Sequence, residues 1–381
     1  MEWAPTAVYP EGMFDLRAHT HLLVVAGSRA YGLHRPSSDV DLKGFAVPPR
    51  AWLMGFRHRF DQVDDADGIA VFADTLTEAE QAVVRRTKLE GSVYGLAKFV
   101  RLAADANPHM LDALFCRDDE IRLCTPIGEA LRAARRQFLS QRCRDSFGGY
   151  ARAQLKRIRT HRRWLLTPPT EAPTRAAFDL PEHSLMPREQ LNAAQAAIRK
   201  QLDRWELDLD GLGKADSQRV RGEVERVLVE QLAHDRYVVA GRAIGLSDNF
   251  VELMDRERRY RAARAEFQQH QRWLRERNAD RAALEAAHGY DTKHAAHLVR
   301  LLRMALEIVR SGEVHVWRGD RDGDELQAIR AGAWSYDDLE AWADDAEARL
   351  RAEASACPLP RRPDLDALEA LTVRLTEEAI A

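Results

Sequence analysis

Asp39 and Asp41 stand two residues apart, alternate with Val40 and Leu42, and follow by eleven residues the Ser28 of a Gly27-Ser28 pair that closes an apolar run. In an extended strand successive side chains point to opposite faces, so both carboxylates share one face and the two aliphatic residues take the other. Paired carboxylates on a rigid strand are hard oxygen ligands of the kind magnesium prefers, and a third from a neighbouring strand would complete a two-metal site. Gly27 lets the backbone come close to a phosphate, to which the Ser28 hydroxyl and neighbouring amides can donate. A helix beginning near Ser28 would add its unpaired amides. The chemistry these residue types suit is phosphoryl or nucleotidyl transfer to a hydroxyl. An isolated Asp-x-Asp is more often an exposed turn or strand face, and it is the pairing with the glycine-serine turn that sets this one apart.

The elements that must position these groups can be read from periodicity. Residues 22–26 form a short apolar run bounded by glycine, as in a buried strand of a mixed sheet, and residues 39–47 read as a second strand reached through the Arg35-Pro36-Ser37-Ser38 turn. GIAVFADTL is a candidate strand, and residues 89–94 another extended piece. Leu96, Phe99, Val100 and Ala103 share one side of a helix over 96–104, with Asn107-Pro108 ending or capping it before a short helix at 110–115. From Pro126 onward the chain reads as helical over 127–166, with a break expected at Gly148-Gly149, and then passes through a proline-rich connection. Further helices are expected over 188–207, 217–243, 250–287, 292–311 and 336–354, with a short one in the tail; Trp205, Trp273, Trp334 and Trp342 fall within helices as core anchors. The expected architecture is a small α/β (α+β) domain with a mixed sheet over residues 1–130, followed by a mostly α-helical domain over 131–381.

Composition bounds the rest. With 45% hydrophobic and 31% charged residues the chain is a folded, soluble type rather than a disordered one. No signal peptide or membrane-spanning run is evident, so the expected location is the cytoplasm, without a membrane partner. Cys116, Cys124, Cys143 and Cys357 lack metal or redox spacing and are expected to be reduced. A net charge of −3 conceals a strong asymmetry. Eleven lysines and arginines against the single acid Asp145 lie between Arg132 and Arg163, with Tyr150 and Trp164 among them, whereas residues 337–354 are acidic. The basic stretch could bind a polyanion, with its aromatic residues stacking on bases.

A second constellation is Tyr290, Asp291, Lys293, His294, His297, Arg300 and Arg303, at and along one helix backed by Leu298, Leu301, Leu302 and Ala305. It could present a cationic ridge to a triphosphate or a nucleic-acid backbone, or be ordinary packing and ion pairing. As a zinc site the His294-x-x-His297 pair lacks further ligands. Lys43, on the strand face of the aspartates, either neutralises phosphate or pairs with Asp41, and Arg29 points to a nucleotide or to solvent.

The segment GSRAYGLHRPSSDVDLKGFAVPP resembles the glycine-serine turn and paired carboxylates of the DNA polymerase beta nucleotidyltransferase superfamily, and within it the bacterial RNA-repair-associated branch. The resemblance extends through VYGLAKFVRLAADANPHMLDALF, GYDTKHAAHLVRLLRMALEIVRSGE and AIRAGAWSYDDL. It implies that Gly27 and Ser28 contact nucleotide phosphates and that Asp39 and Asp41 hold magnesium, with manganese as a substitute. A third carboxylate is implied on a later strand: Glu90 is the first choice, Asp74 and Asp67 the alternatives. The implied reaction transfers a nucleoside monophosphate from an NTP such as ATP to a hydroxyl with loss of pyrophosphate. An RNA acceptor, such as a tRNA or a damaged RNA end, fits the basic stretch. Nucleotidylation of a protein or small molecule, and a catalytically weak nucleotide- or RNA-binding regulator, are the alternatives. Lys293, His297, Arg300, Lys43 and Arg29 are the further nucleotide-binding candidates.

Overall fold

A computed structural model describes residues 14–184, 241–277, 279–353 and 356–381, together with 189, 192–197 and 200. The helices expected over 188–207 and 217–243 therefore lie largely outside the described residues, and Trp205 wholly so. The chain forms two units, one joining the residues up to Leu165 with Ala279–Ala381, the other holding Leu166–Asn278. Their boundaries fall beyond the division near residue 130 expected from the sequence, because the last hundred residues return to the sheet of the first unit.

That sheet has five strands, β1 (Thr20–Ala26), β2 (Val40–Ala46), β3 (Gln62–Val63), β4 (Leu89–Gly95) and β5 (Ile121–Cys124), in the order β3-β4-β2-β1-β5. β2 runs parallel to β4, while the pairs β1 with β2, β1 with β5 and β3 with β4 are antiparallel. The sheet is mixed, as expected. Alternation assigns its two faces: Leu23, Val25, Val40, Leu42 and Val93 pack with Phe14, Ile69 and Phe72 on one side, and Leu22, Val24 and Phe45 join the main helical core on the other. Burying each such aliphatic side chain contributes roughly 1.5–3 kcal/mol. Asp41 and Lys43 share the parity of Phe45 and therefore face the helical side.

The helices in chain order are α1 (Gly27–Ala30), α2 (Arg50–Met54), α3 (Ala66–Ala70), α4 (Glu78–Val84), α5 (Leu96–Ala104), α6 (Pro108–Phe115), α7 (Pro126–Ala133), α8 (Arg142–Leu166), α9 (Asp248–Glu276), α10 (Ala279–His288), α11 (Thr292–Ser311), α12 (Gly323–Arg330), α13 (Tyr336–Glu353) and α14 (Leu365–Ile380). Asn107 caps α6 by accepting from the His109 amide, and Asp291 caps α11 by accepting from that of His294. Two expectations fail for identifiable reasons. GIAVFADTL folds as α3 and a 3-10 turn at Ala73–Thr75, started by the Asp65 side chain accepting from the Gly68 amide. α8 runs through Gly148-Gly149, because Phe147, Ala151, Leu155 and Ile158 bury a continuous face that outweighs the glycine cost of about 1 kcal/mol each. The interruption falls earlier, at the 3-10 turn Arg135–Phe138. The helix expected over 250–287 is broken between α9 and α10.

In the second unit, α9 carries Glu257, buried and paired with Arg175, and Tyr260, which meets Phe178 edge-on. Among the described residues no helix is long and apolar enough to cross a membrane.

Candidate active site

Strand register brings the acidic groups together. Antiparallel pairing sets Ala26, the residue before the glycine-serine turn, opposite Asp41, and parallel pairing sets Asp41 beside Glu90. Asp39 lies one residue before β2, where its Oδ1 accepts from the Lys88 amide at 3.1 Å. Burial raises the Asp41 carboxyl above the ordinary carboxylate range, and the charges of Glu90 and Asp39 push the same way, opposed by Lys43 and Lys293. Carboxylates that repel one another in a partly desolvated cleft are the kind of oxygen donors a divalent cation takes. Of the alternatives for the third carboxylate, Asp74 is paired with Arg17, and Asp67 is exposed in the first turn of α3.

Gly27 is required here twice over. Its φ is +63°, and a Cβ at this position would lie 2.2 Å from Asp41 Oδ2. The turn continues into α1, a single helical turn that ends at Tyr31. The Arg29 guanidinium donates to the carbonyls of Ser38 at 3.1 Å and Asp39 at 3.2 Å, which ties the turn to the start of β2. That contact holds the Arg29 guanidinium against the backbone of residues 38 and 39.

Two adjoining clefts meet at Gly27, Tyr31, Asp41 and His109. The larger, of about 520 Å³, is lined by Asp41, Lys43, Glu90 and Ser92 among others. The smaller, of about 300 Å³, runs from Gly27 and Ser28 to Lys293, His297 and Arg300 on α11 and to Arg330 at the end of α12. Asp41 and Glu90, the turn and the cationic face of α11 thus line two adjoining clefts that share Gly27 and Asp41. Two tethers hold the carboxy-terminal elements over the turn: the Arg318 amide donates to the Tyr31 carbonyl at 3.1 Å, and Arg330 Nη1 donates to the Leu33 carbonyl at 2.8 Å.

Beneath the junction lies a buried polar network that sequence reasoning missed. Tyr31 donates its hydroxyl to Asp112 Oδ2 at 2.6 Å, and the Arg300 guanidinium lies 3.6 Å over the Tyr31 ring, with Nη1 3.8 Å from the same carboxylate oxygen. Burial raises the Asp112 carboxyl, opposed by Arg300, the Tyr31 hydrogen bond and Lys43. Asp112 Oδ1, Arg300 Nη2 and His297 Nε2 are buried with no hydrogen-bond partner among the described residues. Burial, then the charges of Lys43 and Arg300, hold His109 down at about 4, and burial with Arg300 holds His297 at about 2. Burial likewise lowers the Lys43 amine, against the pull of Asp41 and Asp112, and its Nζ lies 5.7 Å from the Tyr94 ring centroid. An acid inside the apolar run MLDALF was the one signal that could have found Asp112.

A second group of side chains could also coordinate a divalent metal. Ligand atoms of His161, Asp291 and His294 lie within 4.8 Å of one another, with His161 Nδ1 3.5 Å and His294 Nε2 3.6 Å from Asp291 Oδ2. Both histidines of His294-x-x-His297 line the smaller cleft, and His294 also meets His161 and Asp291.

The basic stretch is largely neutralised. On α8, Arg159 bonds Glu340 of α13 at 2.7 Å, Arg152 lies 3.9 Å from Glu347, and Arg142 pairs with Asp105 at 2.8 Å. Arg162 lies over the Tyr336 ring and donates to the Gly289 carbonyl. Trp164 is buried and the Tyr150 hydroxyl accepts from Asn107, so neither aromatic is an open base platform. Lys156 and Arg157 remain exposed.

No curated protein and no solved structure matches the chain. A family model does match, and it covers the five strands, the glycine-serine turn, Asp39, Asp41, Glu90 and the helices through α8: residues 16–166 are similar to the RNA repair pathway DNA polymerase beta family.

Proposed function

We propose that the protein transfers a nucleoside monophosphate from an NTP to a hydroxyl at an RNA end, releasing pyrophosphate. The observation that carries this reading is the register that puts Asp41 beside Glu90 on one side and beside the end of β1 on the other. Carboxylates and phosphate-binding backbone are thereby held by the same three strands.

In this reading Asp39, Asp41 and Glu90 hold magnesium, which supplies charge neutralisation along the triphosphate when bound. Gly27 and Ser28 hold phosphate oxygens through backbone and hydroxyl donors. Lys293, His297 and Arg300 face the same phosphates from α11, and Lys43 sits beneath them as a fixed positive charge. Arg29 acts as a positioning residue by holding the start of β2 against the turn. The acceptor oxygen forms a bond to the α-phosphorus as the bond to pyrophosphate breaks, and the acceptor proton passes to a carboxylate of the site or to water. The helical region closes the nucleotide from the side opposite the carboxylates. The family match favours action on RNA.

The pairing of α8 with α13 leaves less free cationic surface than the sequence suggested, which favours transfer to a protein or small molecule as the second reading. Both are tested by supplying each α-labelled NTP with magnesium to pooled cellular RNA and protein, and comparing the native chain with D39A/D41A. Label on RNA that disappears in the variant is the expected result. Variant-sensitive label on protein would transfer the assignment to the second reading, and no label on either would leave a nucleotide-binding role.

A further inference from the structure

Between the end of β2 and Asp61, the residue before β3, the chain makes a basic strap. Residues 47–60 read VPPRAWLMGFRHRF and contain Arg50, Arg57, Arg59 and His58 but no aspartate or glutamate. Its base is anchored: Trp52 and Phe60 each meet Phe14 edge-on at 5.0 Å, and the Trp52 and His58 rings stack at 4.6 Å. Its apex is open. Phe56 is 97% exposed, Met54 73% and Leu53 39%.

A single exposed aliphatic residue is ordinary on a protein surface. An aromatic ring held almost wholly in solvent between arginines, on a strap whose base is fixed by stacking, is a different matter. Arg50, Arg57 and Arg59 have no acidic partner within 4.0 Å among the described residues, in contrast to the arginines of α8. The surface thus combines unneutralised positive charge with an accessible aromatic face, the two features that single-stranded nucleic acid recognises through phosphate attraction and base stacking.

We infer that this strap is a docking surface for single-stranded RNA, with Phe56 stacking on a base and Arg57 and Arg59 contacting adjacent phosphates. The inference rests on the proposed RNA acceptor and deepens it. The strap leaves the sheet at Val47, six residues along β2 from Asp41, which is about 20 Å at the rise of an extended strand. The RNA end would enter the cleft while the strap holds the strand several nucleotides upstream. A bound strand of this kind also supplies the extended polyanion contact that the paired arginines of α8 do not.

The test is fluorescence anisotropy of a labelled single-stranded RNA of about fifteen nucleotides on the full chain, across a range of salt concentrations. Phe56→Ala is expected to weaken binding by about 5- to 100-fold, as loss of one stacked base does. The double variant R57A/R59A is expected to reduce the slope of log affinity against log salt by about 1.4, for two lost phosphate contacts. All three side chains are exposed, so both variants should unfold at the native urea midpoint, and that measurement accompanies the titration. Affinity and salt slope unchanged in both variants would overturn the inference. So would binding of vesicles rich in phosphatidylglycerol that is lost in F56A while RNA binding is kept, since the apex would then be a membrane contact. The RNA-end reading has a separate outcome. A native chain that binds RNA through Phe56 but labels none with any NTP removes that reading and keeps the strap, whereas undiminished transfer and RNA KM in both strap variants removes the strap and keeps the reading.

Discussion

α8 and α11 are both cationic helices, and they put their charge to opposite uses. On α8 the arginines reach Glu340 and Glu347 of an acidic helix, so two segments that are strongly charged in the sequence cancel where they meet. On α11, Arg300 is 1% exposed, is only partly balanced by Asp112, and keeps Nη2 with no hydrogen-bond partner among the described residues, at the edge of a cleft shared with Gly27 and Ser28. Charge density along a sequence therefore says little about charge available to a ligand. What matters is whether the opposing surface carries the counter-charge.

The sharpest way to break this contrast is at Arg300. Arg300→Met should cost on the order of 3–5 kcal/mol in urea unfolding, because it leaves Asp112 buried without its cation. The pair Arg300→Met with Asp112→Asn should regain most of that stability but not the nucleotide affinity, as measured by NTP titration. Recovery of both would make Arg300 purely structural.

Acid should act on the same wall. His109 and His297 are held neutral in the folded chain, with values of about 4 and about 2, whereas in the unfolded chain they bind protons near their ordinary 6.5. The unfolded state then takes up the extra protons, so stability is lost as pH falls below about 6.5, through His109 down to about 4 and through His297 further still. Each contributes on the order of 1 kcal/mol per pH unit. Urea midpoints at pH 7.5 and 5 should show the fall, and H109Q/H297Q should flatten it.

Lys293→Ala is smaller and more selective. Lys293 is exposed at the mouth of the cleft, so its loss should raise the Kd for NTP about tenfold, in line with a charged hydrogen bond, and leave the urea midpoint unchanged. The smallest effect belongs to α13. E340Q/E347Q should cost under about 1 kcal/mol and leave NTP affinity as it was, since exposed ion pairs contribute little. A large loss of NTP affinity there would show that the two helices are not separate in function.

Local pattern sufficed where one element decides the outcome. Alternation of Asp39 and Asp41 with Val40 and Leu42 was enough to read the second strand, and the apolar positions of α5 and α11 agreed with their extents at 96–104 and 292–311. It failed where a distant contact competes. Gly148-Gly149 looks like a break until Phe147, Ala151 and Leu155 are buried on one side, and GIAVFADTL looks like a strand until Asp65 caps a helix within it. β3 and β5 are short, at two and four residues, and carry too little periodicity to read.

By itself the sequence determined the glycine-serine turn, the carboxylate pair on one strand face, the mixed α/β beginning and the helical remainder. These depend on backbone sterics and on side-chain period, both local properties. Only the tertiary structure decided that Glu90 stands beside Asp41, that Asp112 and Tyr31 underlie Arg300, that α8 is neutralised and that α11 returns to face the turn. Those pairings join residues far apart in the chain, and their choice depends on which buried faces and charges close against one another, a property of the whole fold and of no single segment.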